Sequence, residues 1–134
     1  MQTKTFLATD ENMQNVSDFI HSVLPDDCPV KTAYQIDLAV EEIYINIAHY
    51  AYAPEIGEAE ITCGVDGGIL TVIFSDRGKP FDPLAREDPD ITLSAEEREI
   101  GGLGIFLTKK FMSSASYSRT DGKNVLSITK NLSE

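Results

Sequence analysis

Positively charged side chains are scarce in this sequence of 134 residues. It contains 11 lysines and arginines against 22 aspartates and glutamates, so the formal net charge is −11 at pH 7. A protein that binds nucleic acid or an anionic membrane needs a basic surface. We therefore expect no direct contact with nucleic acid or membrane. A phosphate ligand would depend on local backbone dipoles and a metal ion, because the overall field of the protein repels it.

Cysteine and histidine are rare, with two of each. Cys28 and Cys63 are far apart and lack the spacing of a metal site. With His21 and His49 as the only histidines, a zinc site is not expected. The sequence is compatible with a disulfide, but free thiols in a reducing compartment are the favoured interpretation.

Long apolar runs are missing as well. None approaches the roughly 20 residues that span a bilayer, and the first residues lack the apolar core of a signal peptide. We expect a cytoplasmic protein. The length suits one domain, and no repeat or linker interrupts it, so we predict a single domain over 1–134.

The most prominent stretch present is 37–52, which contains no proline or glycine and predicts a long helix ending near Ala53. A buried apolar stripe is predicted along it, formed by Ile36, Ala39, Val40, Ile43 and Ile47. A second stripe holds Glu42, Asn46 and His49. From this stretch alone, a solvated face with an i,i+4 hydrogen bond and a metal and acid/base site are equally good interpretations.

Two hairpins are predicted by their turn residues. Segments 59–65 and 69–76 flank Asp66-Gly67-Gly68, and segments 115–120 and 124–130 flank Asp121-Gly122. Asp76 ends the apolar row Leu70, Val72, Phe74. A carboxylate there is either a surface residue at a strand end, which is the favoured interpretation without other signals, or a ligand group at the mouth of a pocket.

Segment 84–100 is long, charged and poor in apolar residues, which is typical of a functional loop, and we predict a lid. Gly101-Gly102-Leu103-Gly104 then opens a helix whose unpaired N–H groups could hold an anion. A glycine run alone is weak evidence for phosphate binding, and the sequence contains no G-x-x-x-x-G-K-[ST] loop.

Three motifs follow one another along the chain: E-E-I-x-x-N from Glu41, D-x-G-x-P-F-D-P from Asp76, and G-G-L-G-I from Gly101. In this order they resemble the GHKL (histidine-kinase-like) ATP-binding superfamily. Within it, the chain is similar to the bacterial anti-sigma-factor serine/threonine kinases over essentially its whole length. The resemblance implies an α+β two-layer sandwich, with a mixed, mainly antiparallel sheet and helices on one face. ATP would lie between the long helix and the lid.

The resemblance also implies residue roles. Asn46 would bind ATP-associated Mg²⁺, and Glu42 would be the general base. Asp76 would accept a hydrogen bond from the adenine amine, Gly78 would let the backbone pass close to the base, and Phe81 would wall the pocket.

At the other end of the nucleotide, the resemblance implies that Gly102 and Gly104 hold phosphates and that Gly101 hinges the lid. One position departs from the family pattern, because Tyr50 stands where these proteins usually have histidine. His49 does not inherit that role. We interpret it as a helix-face histidine that hydrogen-bonds nearby backbone.

Two functions fit the resemblance. The first is an Mg-ATP-dependent protein serine/threonine kinase that binds a sigma factor, phosphorylates an antagonist protein and forms a homodimer. The alternative is a non-catalytic ATP-binding module that signals its nucleotide state to a partner. Replacing Glu42 with Gln separates the two, because only the kinase needs a base.

Overall fold

A computed structural model describes residues 1–85 and 102–133 of the chain. Its strands and helices, in chain order, are β1 (Gln2–Leu7), α1 (Met13–His21), α2 (Val30–Asn46), β2 (Glu58–Asp66), β3 (Ile69–Asp76), α3 (Gly102–Phe111), β4 (Ser114–Thr120) and β5 (Lys123–Asn131). A π-helical turn, Ile47–Ala51, continues α2. Among the helices of these ranges, none is long and apolar enough to cross a membrane.

The five strands form one sheet in the order β1-β2-β3-β5-β4, and every neighbouring pair is antiparallel. The predicted α+β fold class is confirmed, with an antiparallel sheet throughout the described strands. Both predicted hairpins are present. Gly67 and Gly68 have φ angles of 59° and 77°, and Asp121 and Gly122 have 52° and 76°. Two positive φ values in a two-residue turn match the twist of the strands it joins.

The core lies between one face of the sheet and the helices. All five residues of the predicted α2 stripe are buried, with at most 8% of their surface exposed. They pack against the alternating apolar rows of β2 and β3, including Ile61 and Phe74. Full burial of one such side chain stabilises a fold by about 1.5–3 kcal/mol, so this face fixes α2 on the sheet.

The C-terminal end of α3 is tied to the sheet by Lys130. This lysine is buried on β5, and its Nζ donates to the carbonyl of Phe111 at 2.6 Å. A cation at a helix C-terminus meets the unpaired carbonyls and the negative end of the helix dipole. The contact therefore sets the position of α3 relative to β5.

Both cysteines are free thiols, as the sequence favoured. Cys63 is buried on β2, and Cys28 is partly buried. Burial raises the pKa of both thiols above the ordinary value of 9.0, and Asp27 adds to the effect at Cys28. A raised pKa keeps each sulfur in its unreactive thiol form at neutral pH.

Tyr44 joins α2 to the segment after β1. Its side chain is fully buried, and its hydroxyl donates to Thr9 O at 2.7 Å and accepts from Thr9 N at 3.1 Å. Burial is the main reason that the pKa of this phenol lies above its ordinary value of 10.0, and the charges of Asp10 and Glu11 act in the same direction.

We predict that Tyr44→Phe lowers the free energy of unfolding by about 0.5–1.5 kcal/mol, because the hydrogen bonds between the hydroxyl and Thr9 are lost. Both Thr9 backbone groups keep a second partner, since Thr9 N–H also donates to Leu7 O at 2.9 Å and Thr9 O also accepts from Asn12 N at 3.1 Å. A phenol whose pKa is higher in the folded state stabilises fully below pH 10.0, and this contribution is lost as the pH rises above it. The variant should therefore lose stability less steeply than wild type in that range.

Denaturant titrations from pH 7 to 11 measure both effects. Tyr34→Phe is the matched control, because that side chain is 62% exposed and should change neither quantity. An unchanged pH slope in Tyr44→Phe would contradict the assignment.

Candidate active site

A cavity of about 550 Å³ lies between α2, the ends of β3 and β5, and α3. Its volume is in the range of small-molecule sites. Its described lining residues are mainly apolar with a few polar groups: Glu42, Ile43, Ile45, Asn46, Ile47, Tyr50, Ala51, Phe74, Asp76, Lys79, Pro80, Phe81, Pro83, Ile105, Tyr117, Asn124 and Leu126. Four of the predicted site residues thus line one cavity: Glu42, Asn46, Asp76 and Phe81.

Glu42 and Asn46 lie one turn apart on α2, at one end of this lining. Asn46 Nδ2 is 3.5 Å from Glu42 Oε1, at the outer limit of a hydrogen bond. A carboxylate only accepts, so the amide nitrogen faces Glu42 and the amide oxygen is directed away from it. The i,i+4 contact is present and both side chains line the cavity, while the metal and acid/base site stays a prediction.

Gly104 on α3 lies directly against Glu42. A Cβ at this position would overlap the Glu42 side chain at Cγ, Cδ and Oε2. A glycine here lets the N-terminal turn of α3 approach the carboxylate more closely than any other residue would. The structure therefore brings the third motif against the first, although the two are about 60 residues apart in sequence.

Asp76 is buried, with 6% of its surface exposed, so the surface interpretation is wrong. Its Oδ1 accepts hydrogen bonds from Gly78 N at 2.9 Å and from Asn124 Nδ2 at 3.0 Å. These contacts satisfy Oδ1 of a carboxylate whose burial would otherwise be costly. The pocket-mouth interpretation fits, because the residue lines the cavity.

Asn124 is a site residue that the sequence reasoning missed. It faces Asp76 across the β3–β5 pair and is equally buried. Its Oδ1 also accepts from Tyr117 OH on β4. A signal was present, since Asn124 ends the inward row Leu126, Ile128 on β5 as Asp76 ends its own row.

Glycine is required at position 78 because the backbone there packs closely against the π-helical turn. A Cβ here would overlap the backbone carbonyl of Ala51, and the next residue, Lys79, donates its N–H to that carbonyl at 2.9 Å. The predicted approach of backbone to a base stays a prediction. The side chain of Lys79 is exposed, and its Nζ donates to Ala53 O at 2.8 Å.

Four further predictions concern Phe81, Gly102, Gly101 and the lid. Phe81 lines the cavity with 44% of its surface exposed. Gly102 is the first residue of α3. Gly101 and positions 86–100 of the predicted lid lie outside the described residues, and Leu84 belongs to a short 3-10 turn, Pro83–Ala85.

His49 lies in the π-helical turn with its Nε2 2.7 Å from Asp10 Oδ1. The predicted backbone partner is wrong, because the ring contacts a carboxylate of the preceding segment. The π-helical turn winds less tightly than α2, so the 100° spacing that grouped His49 with Glu42 and Asn46 does not hold beyond Asn46.

The donor chemistry at the α2 end fits Mg²⁺. Mg²⁺ keeps several waters and is usually held by one or two protein oxygens together with substrate phosphates. Asn46 supplies an amide oxygen beside the Glu42 carboxylate. In the described ranges no three or more His, Cys, Asp or Glu side chains are grouped as a metal site.

Comparison with known families explains this arrangement. The profile of the family described as "Histidine kinase-like ATPase domain" matches residues 6–130. The chain belongs to this family. The match covers every described strand and helix from α1 onward, except Asn131 at the end of β5, and all the site residues named above.

Two curated relatives carry kinase names. The chain is 28% identical to serine/threonine-protein kinase BtrW of Bordetella bronchiseptica over 110 residues, covering 81% of this chain and 78% of BtrW. It is 30% identical to serine-protein kinase RsbW of Bacillus thuringiensis over 93 residues, covering 66% of this chain and 58% of RsbW. The resemblance to serine kinases of this type within the GHKL superfamily is confirmed.

One solved structure supports the fold. The histidine kinase domain from the Erythrobacter litoralis EL346 blue-light activated histidine kinase matches with a TM-score of 0.58. The identity is 19%, and the match covers 94% of this chain and 64% of the other.

The contact between Gly104 and Glu42 makes a testable prediction about stability. In wild type, Gly104→Ala should be destabilising or neutral, because the new Cβ must displace the Glu42 carboxyl group. In a Glu42→Ala background the overlapping atoms are absent, and the same change should stabilise by up to about 1 kcal/mol through helix propensity.

Denaturant unfolding of the four proteins gives the coupling energy, expected at about 0.5–3 kcal/mol. Equal effects of Gly104→Ala in both backgrounds would show that the two residues do not meet.

Proposed function

We propose that this chain binds Mg-ATP in the cavity and transfers the γ-phosphoryl group to a serine or threonine of a partner protein. One observation carries the proposal. The same cavity is lined by the buried carboxylate of Asp76, which suits a nucleobase, and by the Glu42–Asn46 pair beside the first turn of α3. That arrangement suits a ligand with a flat polar ring at one end and anionic groups at the other.

Binding would use the cavity as follows. Asp76 accepts a hydrogen bond from the adenine amine, and Phe74, Ile47 and Phe81 provide apolar contact for the ring. The phosphates lie toward the first turn of α3, where Gly102 and Gly104 expose backbone N–H groups. Gly101 and the segment 84–100 belong to this proposal as hinge and lid.

Metal charge is needed in a protein whose net charge is −11. Mg²⁺, when bound, offsets the negative charge of the phosphate oxygens, and Asn46 would hold it through Oδ1. The Asn46–Glu42 contact keeps the amide oxygen directed away from the carboxylate, so it is presented to a cation.

Transfer needs a base and correct positioning. Glu42 takes the proton from the acceptor hydroxyl while the hydroxyl oxygen forms a bond to the γ-phosphorus. The bond from that phosphorus to the bridging oxygen of the β-phosphate breaks, and ADP leaves with the electron pair. The absence of a side chain at Gly104 leaves room for the Glu42 carboxyl group next to the turn where the phosphates would bind.

The resemblance also names the partners. We infer a cytoplasmic regulator of transcription that acts as a homodimer, binds a sigma factor, and phosphorylates the antagonist protein that competes for it. The kinase names of BtrW and RsbW support the phosphotransfer part.

The test compares Glu42→Gln with Glu41→Gln. Both remove one carboxylate from adjacent residues of α2, but Glu41 does not line the cavity. Titration calorimetry with Mg-ATP should show similar affinity for both variants and wild type. Transfer of label from γ-labelled ATP to antagonist proteins should fall about 10²–10⁴-fold in Glu42→Gln alone.

Tight ATP binding with no label transferred by wild type would favour the alternative, a non-catalytic ATP-binding module. Equal losses in both glutamate variants would remove Glu42 from the role of base. Failure of wild type to bind ATP would contradict the proposal as a whole.

A further inference from the structure

Asn124 makes four hydrogen bonds from a side chain that is 6% exposed. Its Nδ2 donates to Asp76 Oδ1 at 3.0 Å and to Lys79 O at 2.7 Å. Its Oδ1 accepts from Phe81 N at 3.2 Å and from Tyr117 OH. An amide has two N–H donors and one oxygen with two acceptor positions, so every hydrogen-bonding position of Asn124 is used.

The orientation of this amide follows from two partners that cannot change roles. The carbonyl of Lys79 only accepts, and the N–H of Phe81 only donates. Rotating the amide by 180° would set two acceptors against each other and two donors against each other. The NH₂ group of Asn124 is therefore directed at Asp76.

Asp76 consequently offers a ligand only one of its oxygens. Oδ1 receives two donors, Gly78 N–H and Asn124 Nδ2. Within residues 1–85 and 102–133, Oδ2 accepts no hydrogen bond. The carboxylate is held in one rotation, and its acceptor capacity toward the cavity is limited to Oδ2.

We propose that Asn124 is a positioning residue that sets base specificity by making Asp76 a single acceptor. Adenine presents one exocyclic amine at C6, which a single acceptor matches. Guanine presents two adjacent donors, N1–H and the 2-amine, which pair with both oxygens of an unrestricted carboxylate. It also carries a 6-oxo group that a carboxylate repels. This inference rests on the proposed binding of ATP and adds its selectivity over other purine nucleotides.

The experiment measures the affinities of ATP, GTP and inosine triphosphate (ITP) for wild type and two variants at fixed Mg²⁺. Wild type should prefer ATP over GTP by about 30-fold or more, because GTP leaves a buried donor unpaired. Asn124→Ala frees one acceptor position on Oδ1, so the preference for ATP over GTP should fall at least about tenfold.

Asn131→Ala is the matched control, with the same chemical change at the other end of β5. Its ATP-to-GTP ratio should equal that of wild type. A general loss of stability would weaken all nucleotides together, whereas the proposed role changes their ratio.

Asp76→Asn gives a second, nearly isosteric test. Gly78 N–H and Asn124 Nδ2 are both donors, so they select the oxygen of the new amide and turn its NH₂ group toward the ligand. A donor there matches a 6-oxo base. The preference should therefore invert, with ITP binding more tightly than ATP, and this arm decides the question if Asn124→Ala does not fold.

A folded Asn124→Ala protein with an unchanged ATP-to-GTP ratio would overturn the proposal. So would Asp76→Asn if it weakened ATP and ITP equally. Failure of wild type to bind any of the three nucleotides would instead contradict the proposed function, so the two failures are distinguishable.

Discussion

The buried carboxylate of Asp76 is the constraint on which the site depends. A carboxyl group shielded from water is tolerated only with good hydrogen-bond partners. Its partners come from the tight turn at Gly78 and from Asn124 on β5. The second partner exists only because β5 inserts between β3 and β4 in the sheet. The hydrogen bonding of Asp76 in the pocket therefore requires this strand order.

The long helix α2 connects this constraint to the other end of the cavity. Its buried stripe fixes it on the sheet, and the adjacent stripe presents Glu42 and Asn46. The π-helical turn that follows brings the carbonyl of Ala51 to Lys79 N. One continuous segment thus touches the base end and the phosphate end of the proposed ligand. Its rigid length sets the distance between them.

Local patterns made much of the fold predictable. The two hairpins, the α2 stripe and the burial of the row ending at Asp76 each depend on residues within a few positions of one another. The contact between Asn124 and Asp76 depends on the β3–β5 register, which joins residues 48 positions apart. The Gly78–Ala51 contact and the His49–Asp10 pair likewise join separate segments, and no local period reports them. The order of the three motifs supplies part of this long-range information, because it predicts that Glu42, Asp76 and Gly104 belong to one site although they are distant in sequence.

The anchoring of α3 by Lys130 has a mechanical consequence. The helix has 10 residues and is about 15 Å long, with Lys130 at its C-terminal end and Gly104 in its first turn. The Lys130 contact therefore lies at the opposite end of α3 from Gly104 and Ile105, which face Glu42 and the cavity. A tilt of about 5° at Phe111 would displace the first turn by about 1 Å over that length. Geometry at Glu42 is thus sensitive to packing around Lys130 and Phe111, neither of which lines the cavity.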